Sequence, residues 1–146
     1  MYYFAYGSNM NWQQMQRRCP SARFVCVGRL PDSQFGITRH SRLRDCGTAN
    51  VVPTSGTEVW GAVYDVTDAD LEIMDSFEDG YRREFLSLTL ANNGTKSITA
   101  LVYVAEIDAN VPLPNAEYKR AMVEGAKHWQ LPAPYLAMLQ GIKAGQ

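Results

Sequence analysis

The sequence predicts an α+β fold: a small, mixed but mainly antiparallel sheet, curved or closed into a β-barrel, with helices around it. Three observations carry this expectation. Apolar residues alternate over several segments bounded by turn residues, as they do in strands. Helical spacing is confined to a few stretches inserted irregularly between them, unlike the regular alternation of a doubly wound parallel sheet. Two alternating runs also flank Asn92-Asn93-Gly94, an antiparallel hairpin signal. The 146 residues contain no internal repeat, low-complexity tract or linker, so residues 1–146 read as a single domain.

The chain opens with a dense aromatic strand, Tyr2-Tyr3-Phe4-Ala5-Tyr6, suited to a buried pleated surface. The small polar turn Gly7-Ser8-Asn9 follows, with Asn9 as the expected cap of a helix over Asn11 to Cys19 that Pro20 stops. Ala22 to Leu30 reads as a central strand ending before Pro31, because both of its faces are apolar. Short strands are expected at Phe35 to Thr38 and Ala49 to Val52, on either side of a solvated basic loop, Arg39 to Arg44. Glu58 to Val66 is a further strand in which the small pair Gly61-Ala62 leaves room for a neighbour. Thr67-Asp68-Ala69-Asp70 approximates a capping box, and Leu71, Met74 and Phe77 continue a helix up to Gly80. Tyr81 to Leu90 and Ser97 to Ala105 are the hairpin arms. Asn115 caps a helix through Trp129, and Pro132 and Pro134 separate it from a last helix around Tyr135 to Ile142. These two helices are expected to cover the sheet.

Composition narrows the function classes. Hydrophobic residues make up 46%, charged residues 20%, and the net charge is −1, which argues against disorder and against general nucleic-acid affinity. No apolar run approaches the roughly 18–20 residues of a membrane span, and no basic, signal-like leader is evident, so a cytoplasmic protein without membrane attachment is expected. Cys19, Cys26 and Cys46 are odd in number and lack zinc-site spacing, and His40 and His128 stand far apart, so neither a disulfide framework nor a metal is expected. Asn93-Gly94-Thr95 matches a glycosylation acceptor but reads better as the hairpin turn.

Two places carry candidate chemistry. Amides of a turn at Gly7-Ser8-Asn9 attract anions when they open a helix. Asp75, Glu78 and Asp79 crowd a helix C-terminus, where the macrodipole disfavours negative charge, although Arg82 and Arg83 stand ready to answer them. Like charges and partial burial would raise the pKa of one carboxylate, and Glu78, at the edge of the buried stripe, is placed to face a pocket. Tyr118 and Tyr103 read either as core tyrosines or as pocket residues. Ser8 lies in no nucleophile elbow and has no histidine nearby in sequence, which disfavours covalent catalysis.

Four ordered segments, Tyr3-Phe4-Ala5-Tyr6-Gly7-Ser8-Asn9, Glu58-Val59-Trp60-Gly61, Asp75 to Gly80, and Tyr118-Lys119 with Gly125-Ala126-Lys127 and Leu131-Pro132, resemble the γ-glutamylcyclotransferase (AIG2-like) family. The resemblance implies a small mixed β-barrel with helices around it and a γ-glutamyl amine or γ-glutamyl amino acid as substrate. It implies release of 5-oxoproline and the free amine, with no cofactor. Tyr3 to Asn9 would hold the glutamyl group through backbone amides, Glu78 would be the catalytic acid/base, and Tyr103 and Tyr118 would line the pocket. Only Asp79 and Gly80 separate Glu78 from Tyr81, where the family often carries a longer insertion.

Elementary chemistry fits that implication. A γ-glutamyl substrate carries its own nucleophile, the α-amine, so the protein needs no Ser or Cys nucleophile, only orientation and proton traffic. The amides around Gly7 and Ser8 suit either the substrate carboxylate or a developing oxyanion. Two alternatives stand beside this expectation: a binding module for γ-glutamyl compounds or small anions that lacks turnover, and, more weakly, an anion or nucleic-acid contact at Arg39 to Arg44. That basic segment and the Tyr81 region are also the expected leaving-amine side. Partners are limited to the small molecule, with the chain a monomer or homodimer.

Overall fold

The computed structural model describes residues 1–145. Five strands close a barrel in the order β1-β3-β2-β4-β5: β1 Tyr2–Ala5, β2 Arg23–Ser41, β3 Cys46–Asp65, β4 Tyr81–Leu90 and β5 Asn93–Ala105. Every junction is antiparallel except the seam between β1 and β5, where Tyr3 pairs with Leu101 in parallel. The α+β barrel expected from the alternation is therefore the observed fold. Phe4, Val59, Val63, Tyr64, Leu88 and Leu101, from the two faces of the sheet, belong to one buried core and are all essentially excluded from solvent.

The four short segments expected between Ala22 and Val66 are two long strands forming one hairpin. Pro31 does not end β2, because it pairs with Glu58 beside a bulge at Asp32, which takes a φ of 51°. Further register shifts fall between Phe24 and Cys26 and between Ile37 and Arg39, so strict alternation misassigns the faces of this strand. Gly61 opens no empty space. A side chain there would come 2.3 Å from the Ala5 carbonyl oxygen and 2.9 Å from the Phe4 ring, so its bareness is what lets β1 lie against β3.

Helix α1 spans Trp12–Arg18 and is capped by Asn11, whose side chain accepts from the Gln14 amide. Asn9 is not the cap; it belongs to a single 3₁₀ turn, Ser8–Met10, and its side chain points inward. Helix α2, Asp68–Asp75, begins with the expected capping box between Thr67 and Asp70. It stops five residues short of Gly80, and the chain tightens through turns at Ser76, Phe77 and Glu78. Gly80 then takes a φ of 82°, which a glycine adopts without strain.

Helix α3, Ala116–His128, is capped by Asn115, and α4 covers Ala133–Gln140. Pro134 sits inside the first turn of α4 and is no separator, since the first turn has no use for its missing N–H. These helices do not blanket the sheet as expected. The small face of α3, Gly125 and Ala126, packs on the Ser8–Met10 turn, and α4 packs on α3. Trp129 stacks on Phe24 at 3.7 Å and Trp12 on Tyr64 at 5.7 Å, which ties both helix ends to the barrel. No helix among the described residues is long and apolar enough to cross a membrane.

Candidate active site

The turn Gly7-Ser8-Asn9 is where β1 leaves the barrel, and its backbone is held from behind. Tyr64 donates its hydroxyl to the Asn9 carbonyl at 2.7 Å, and the Trp129 indole donates to the Met10 carbonyl at 2.9 Å. The Asn9 and Met10 carbonyls thus face the core, while those of Gly7 and Ser8 accept from Met10 and Asn11 within the turn. The amides of Gly7, Ser8 and Asn9 have no backbone acceptor among the described residues, as expected for the opening of a helical turn.

Side chains fix the rest of the turn. Asn9 donates to the Tyr3 hydroxyl at 3.0 Å and accepts from Gln14 at 2.9 Å and Arg18 at 3.0 Å. Ser8 accepts from Gln14 at 2.9 Å and from Arg44 at 3.3 Å, so its oxygen is enlisted as an acceptor, with no histidine beside it. Tyr6 donates to the Tyr103 carbonyl across the barrel seam. Tyr118 accepts from the Ala49 amide at 3.0 Å, which leaves its own hydroxyl proton free to donate.

These groups wall a cleft of roughly 510 Å³, counted to its open mouth. Of the residues singled out from sequence, Tyr3, Phe4, Tyr6, Gly7, Ser8, Asn9, Glu78, Tyr103 and Tyr118 all line it. Ala5 does not. It is buried in β1 opposite Ala62, and its carbonyl abuts Gly61. The lining also includes Arg18, Arg44, Ser41, Thr48, Phe77 and Tyr81, which sequence reasoning did not assign to the substrate pocket as individual residues. For Arg18 a signal existed: it lies one turn after Gln14 on α1, so both reach the same turn residues. Thr48 offered none.

Glu78 projects into this cleft from the turn after α2. The three clustered carboxylates have separate fates. Asp75 is gripped by Arg83 at 2.6 and 3.0 Å and accepts from the Tyr103 hydroxyl at 2.7 Å, interactions that hold it below the usual carboxylate range. Asp79 pairs with Arg39 at 3.4 Å. Arg82 turns instead to Glu84 and Glu106. Among the described residues, no protein group donates a hydrogen bond to the Glu78 carboxylate. Burial pushes Glu78 up to about 7, with Arg18 and Arg44 pulling it down and Asp75 adding to the rise.

The basic segment is not one solvated loop. Arg39 and its two neighbours lie in β2, and only the following turn crosses to β3. The Arg39 side chain, 17% exposed, donates to the Asp79 carbonyl at 3.2 Å and pairs with Asp108 at 3.2 Å. It thereby clamps the turn carrying Glu78. Arg42 and Leu43 are exposed, whereas Arg44 enters the cleft over the Tyr118 ring at 4.9 Å. Tyr81 donates to the Ala49 carbonyl and bonds Thr48 at 2.8 Å, forming the far wall.

A family model described as "Gamma-glutamyl cyclotransferase, AIG2-like" matches residues 3–131. The chain belongs to the AIG2-like γ-glutamyl cyclotransferase family. It is 32% identical to the human protein named gamma-glutamylcyclotransferase, over 97% of this chain and 78% of that one, and equally to its bovine counterpart. A solved structure titled "Gamma-glutamyl cyclotransferase" superposes with a TM-score of 0.89 at 29% identity, covering 100% of this chain and 89% of that chain. The matched span takes in β1, the 3₁₀ turn, Glu78 and α3, which together form the cleft of this AIG2-like chain.

The raised Glu78 has a consequence for stability in this family member. The folded chain holds the Glu78 proton more tightly than the unfolded chain, whose value is near 4.5. The contribution is therefore fully present below about 4.5 and is lost as the pH rises through about 7. Allowing for the side chain's remaining exposure, the loss is about 1–2 kcal/mol. Denaturant titrations of Glu78→Gln should show it gaining stability relative to the parent across this window. A gap that stays constant with pH would contradict the assignment.

Proposed function

We propose that the chain is a cofactor-free γ-glutamyl cyclotransferase acting on a γ-glutamyl amine or γ-glutamyl amino acid. The α-amine attacks the γ-carbonyl, the amide bond to the leaving nitrogen breaks, and 5-oxoproline and the free amine depart. No water is consumed. The ammonium nitrogen sheds two protons in becoming a lactam N–H, and the leaving nitrogen gains two in departing as an ammonium. One carboxylate with a pKa near the working pH serves both directions of this traffic.

The observation that carries this reading is Glu78, pushed up to about 7 and lining the same cleft as the open-amide turn at Gly7-Ser8-Asn9. The Tyr118 hydroxyl adds a free donor to the cleft. Folding the glutamyl chain onto itself is the main task, because well-oriented intramolecular attack reaches effective molarities of about 10⁵–10⁸ M. Ser8 takes part only as a member of the cradle.

A mass-spectrometric screen of γ-glutamyl amino acids, γ-glutamyl-ε-lysine and glutathione for 5-oxoproline release tests this directly. At least one of these compounds should be turned over. Saturable binding with no 5-oxoproline after long incubation would point to the binding module instead. In the active case, kcat/KM should rise with pH through about 7, as the free Glu78 loses its proton. A profile flat between pH 5 and 8 would remove Glu78 as the base.

A further inference from the structure

Glu78 is carried into the cleft by a segment with little structure of its own. Helix α2 has ended at Asp75, and the chain runs on through isolated hydrogen bonds: the Phe77 amide to the Met74 carbonyl at 2.9 Å, Glu78 to Asp75 at 3.2 Å and Tyr81 to Glu78 at 3.0 Å. Bonds between residues three apart have poorer geometry than those of an α-helix. The Glu78 carboxylate accepts no protein hydrogen bond among the described residues, so its place in the cleft follows that of its backbone.

That backbone is held from β2. The Arg39 Nε donates to the Asp79 carbonyl at 3.2 Å, one terminal nitrogen reaches the Asp79 carboxylate at 3.4 Å, and the other reaches Asp108 at 3.2 Å. The guanidinium lies so close over Gly80 that a Cβ there would collide with its central carbon. Asp108 orients the arginine in turn. Its carboxylate also accepts from the His40 amide at 2.8 Å, and its own amide donates to the Thr38 carbonyl at 2.9 Å, so it is seated on β2 on both sides of Arg39. The His40 amide and Arg39 hold Asp108 below the usual carboxylate range, which keeps it charged. Neither Arg39 nor Asp108 lines the cleft, whose arginines are Arg18 and Arg44. Arg39 can therefore act on the chemistry only through the turn.

We infer that Arg39, oriented by Asp108, is a positioning residue for the reaction: its fork pins the Asp79-Gly80 backbone and so keeps the Glu78 carboxylate at the reacting atoms. The inference rests on the γ-glutamyl reading above and assigns a role which that reading gives to no residue. The fork matters as well as the charge, because a lysine ammonium is a flexible point charge where Arg39 meets two segments with fixed, planar donors. A misplacement of about 1 Å caused outside the reacting groups can lower a rate about 10²-fold. Loosening the turn also admits water to Glu78, whose high value comes chiefly from burial. Arg18 of α1 and Arg44 of the β2–β3 turn oppose that rise and Asp75 of α2 adds to it, while tyrosines of β1, β4, β5 and α3 line the same cleft. A hydrated Glu78 titrates nearer its ordinary 4.5.

The test measures kcat, KM and the pH dependence of 5-oxoproline release in Arg39→Lys, Arg39→Met, Asp108→Asn and the double variant of the last two. The titration of the Glu78 carboxyl is followed by NMR in the parent and in Arg39→Lys. Arg39→Met should lower kcat by about 10²-fold with KM close to the parent's, and Arg39→Lys should lower it less. Because Arg39→Lys keeps the charge, its acid limb of kcat/KM and its Glu78 titration should both move down from about 7. Asp108 works through Arg39, so the double variant should be no slower than Arg39→Met alone.

A parent-like kcat in Arg39→Met, a loss confined to KM, or additive effects of the two substitutions would each overturn the positioning role and leave the cyclotransferase reading intact. An unmoved Glu78 titration in Arg39→Lys would overturn it without reference to any substrate. Absence of 5-oxoproline from the parent with every screened compound would instead remove the cyclotransferase reading, and with it the reaction that Arg39 serves. Should Arg39→Met fail to fold, Arg39→Lys and Asp108→Asn supply the same readouts.

Discussion

Replacing Glu78 with Gln should lower kcat for 5-oxoproline release by about 10³-fold, the middle of the range for a positioned general acid/base, with ligand affinity nearly retained. Gln keeps the size of the side chain and can neither take the ammonium proton nor return one. The substitution is structurally mild, because the Glu78 carboxylate accepts no protein hydrogen bond among the described residues and the turn is held independently by Arg39. Loss of turnover should therefore come without loss of folding. Single-turnover assays and a melting curve on the same preparation check both halves. If Glu78→Gln turned over at the parent rate, another group would have to move the protons.

Gly125→Ala should be among the most damaging single-methyl changes in the chain. A Cβ at Gly125 would stand 2.3 Å from the Met10 carbonyl carbon, 2.5 Å from its oxygen and 2.6 Å from the Asn11 nitrogen. All three are backbone atoms, pinned on their other side by Tyr64 and Trp129, so none can swing aside as a flexible side-chain tip would. Overpacking of this kind costs about 1–3 kcal/mol. The displaced backbone is also the turn that walls the cleft, so kcat/KM should fall further than the melting temperature alone would account for. Lys127→Ala, on the exposed side of the same helix, should stay within about 0.5 kcal/mol of the parent. Parent-like melting and turnover in Gly125→Ala would show that α3 can lift away from the turn at little cost.

Local chemistry made much of the fold legible. The Thr67 capping box, the Asn115 cap and the two arms of the hairpin between Tyr81 and Ala105 are where nearest-neighbour patterning places them, but the turn is the tighter Ala91-Asn92, and Asn93, expected in the turn, already pairs with Leu90 in β5. The β2–β3 hairpin was not legible, because its bulges break the period of two and its proline sits at one of them. The bounds of α2 were missed for a related reason. Phe77 continues the helical spacing, yet it lies 42% exposed beneath Arg18 after the helix has ended. At the site, the turn residues, Glu78 and the two tyrosines could be singled out by type and surroundings. Arg39 and Arg44 look alike in a basic run, and only the pairing of β2 with β3 sends one to clamp the Glu78 turn and the other into the cleft.

The parallel seam between β1 and β5 bears on how the molecule comes into being. Tyr3 meets Leu101, and Tyr6 reaches the Tyr103 carbonyl, across nearly a hundred residues of intervening chain. Such closure comes late, because the loop entropy of a distant contact must be overcome before the contact contributes anything. On a ribosome β1 emerges well before β5, so its pairing with β3 can form while the seam waits for Leu101 and Tyr103. The β4–β5 hairpin can form locally in the meantime, but the cleft has no floor until the seam shuts. A nascent or truncated chain ending before β5 thus carries every residue of the Gly7-Ser8-Asn9 turn and Glu78 but lacks Tyr103 and Tyr118, which complete the cleft.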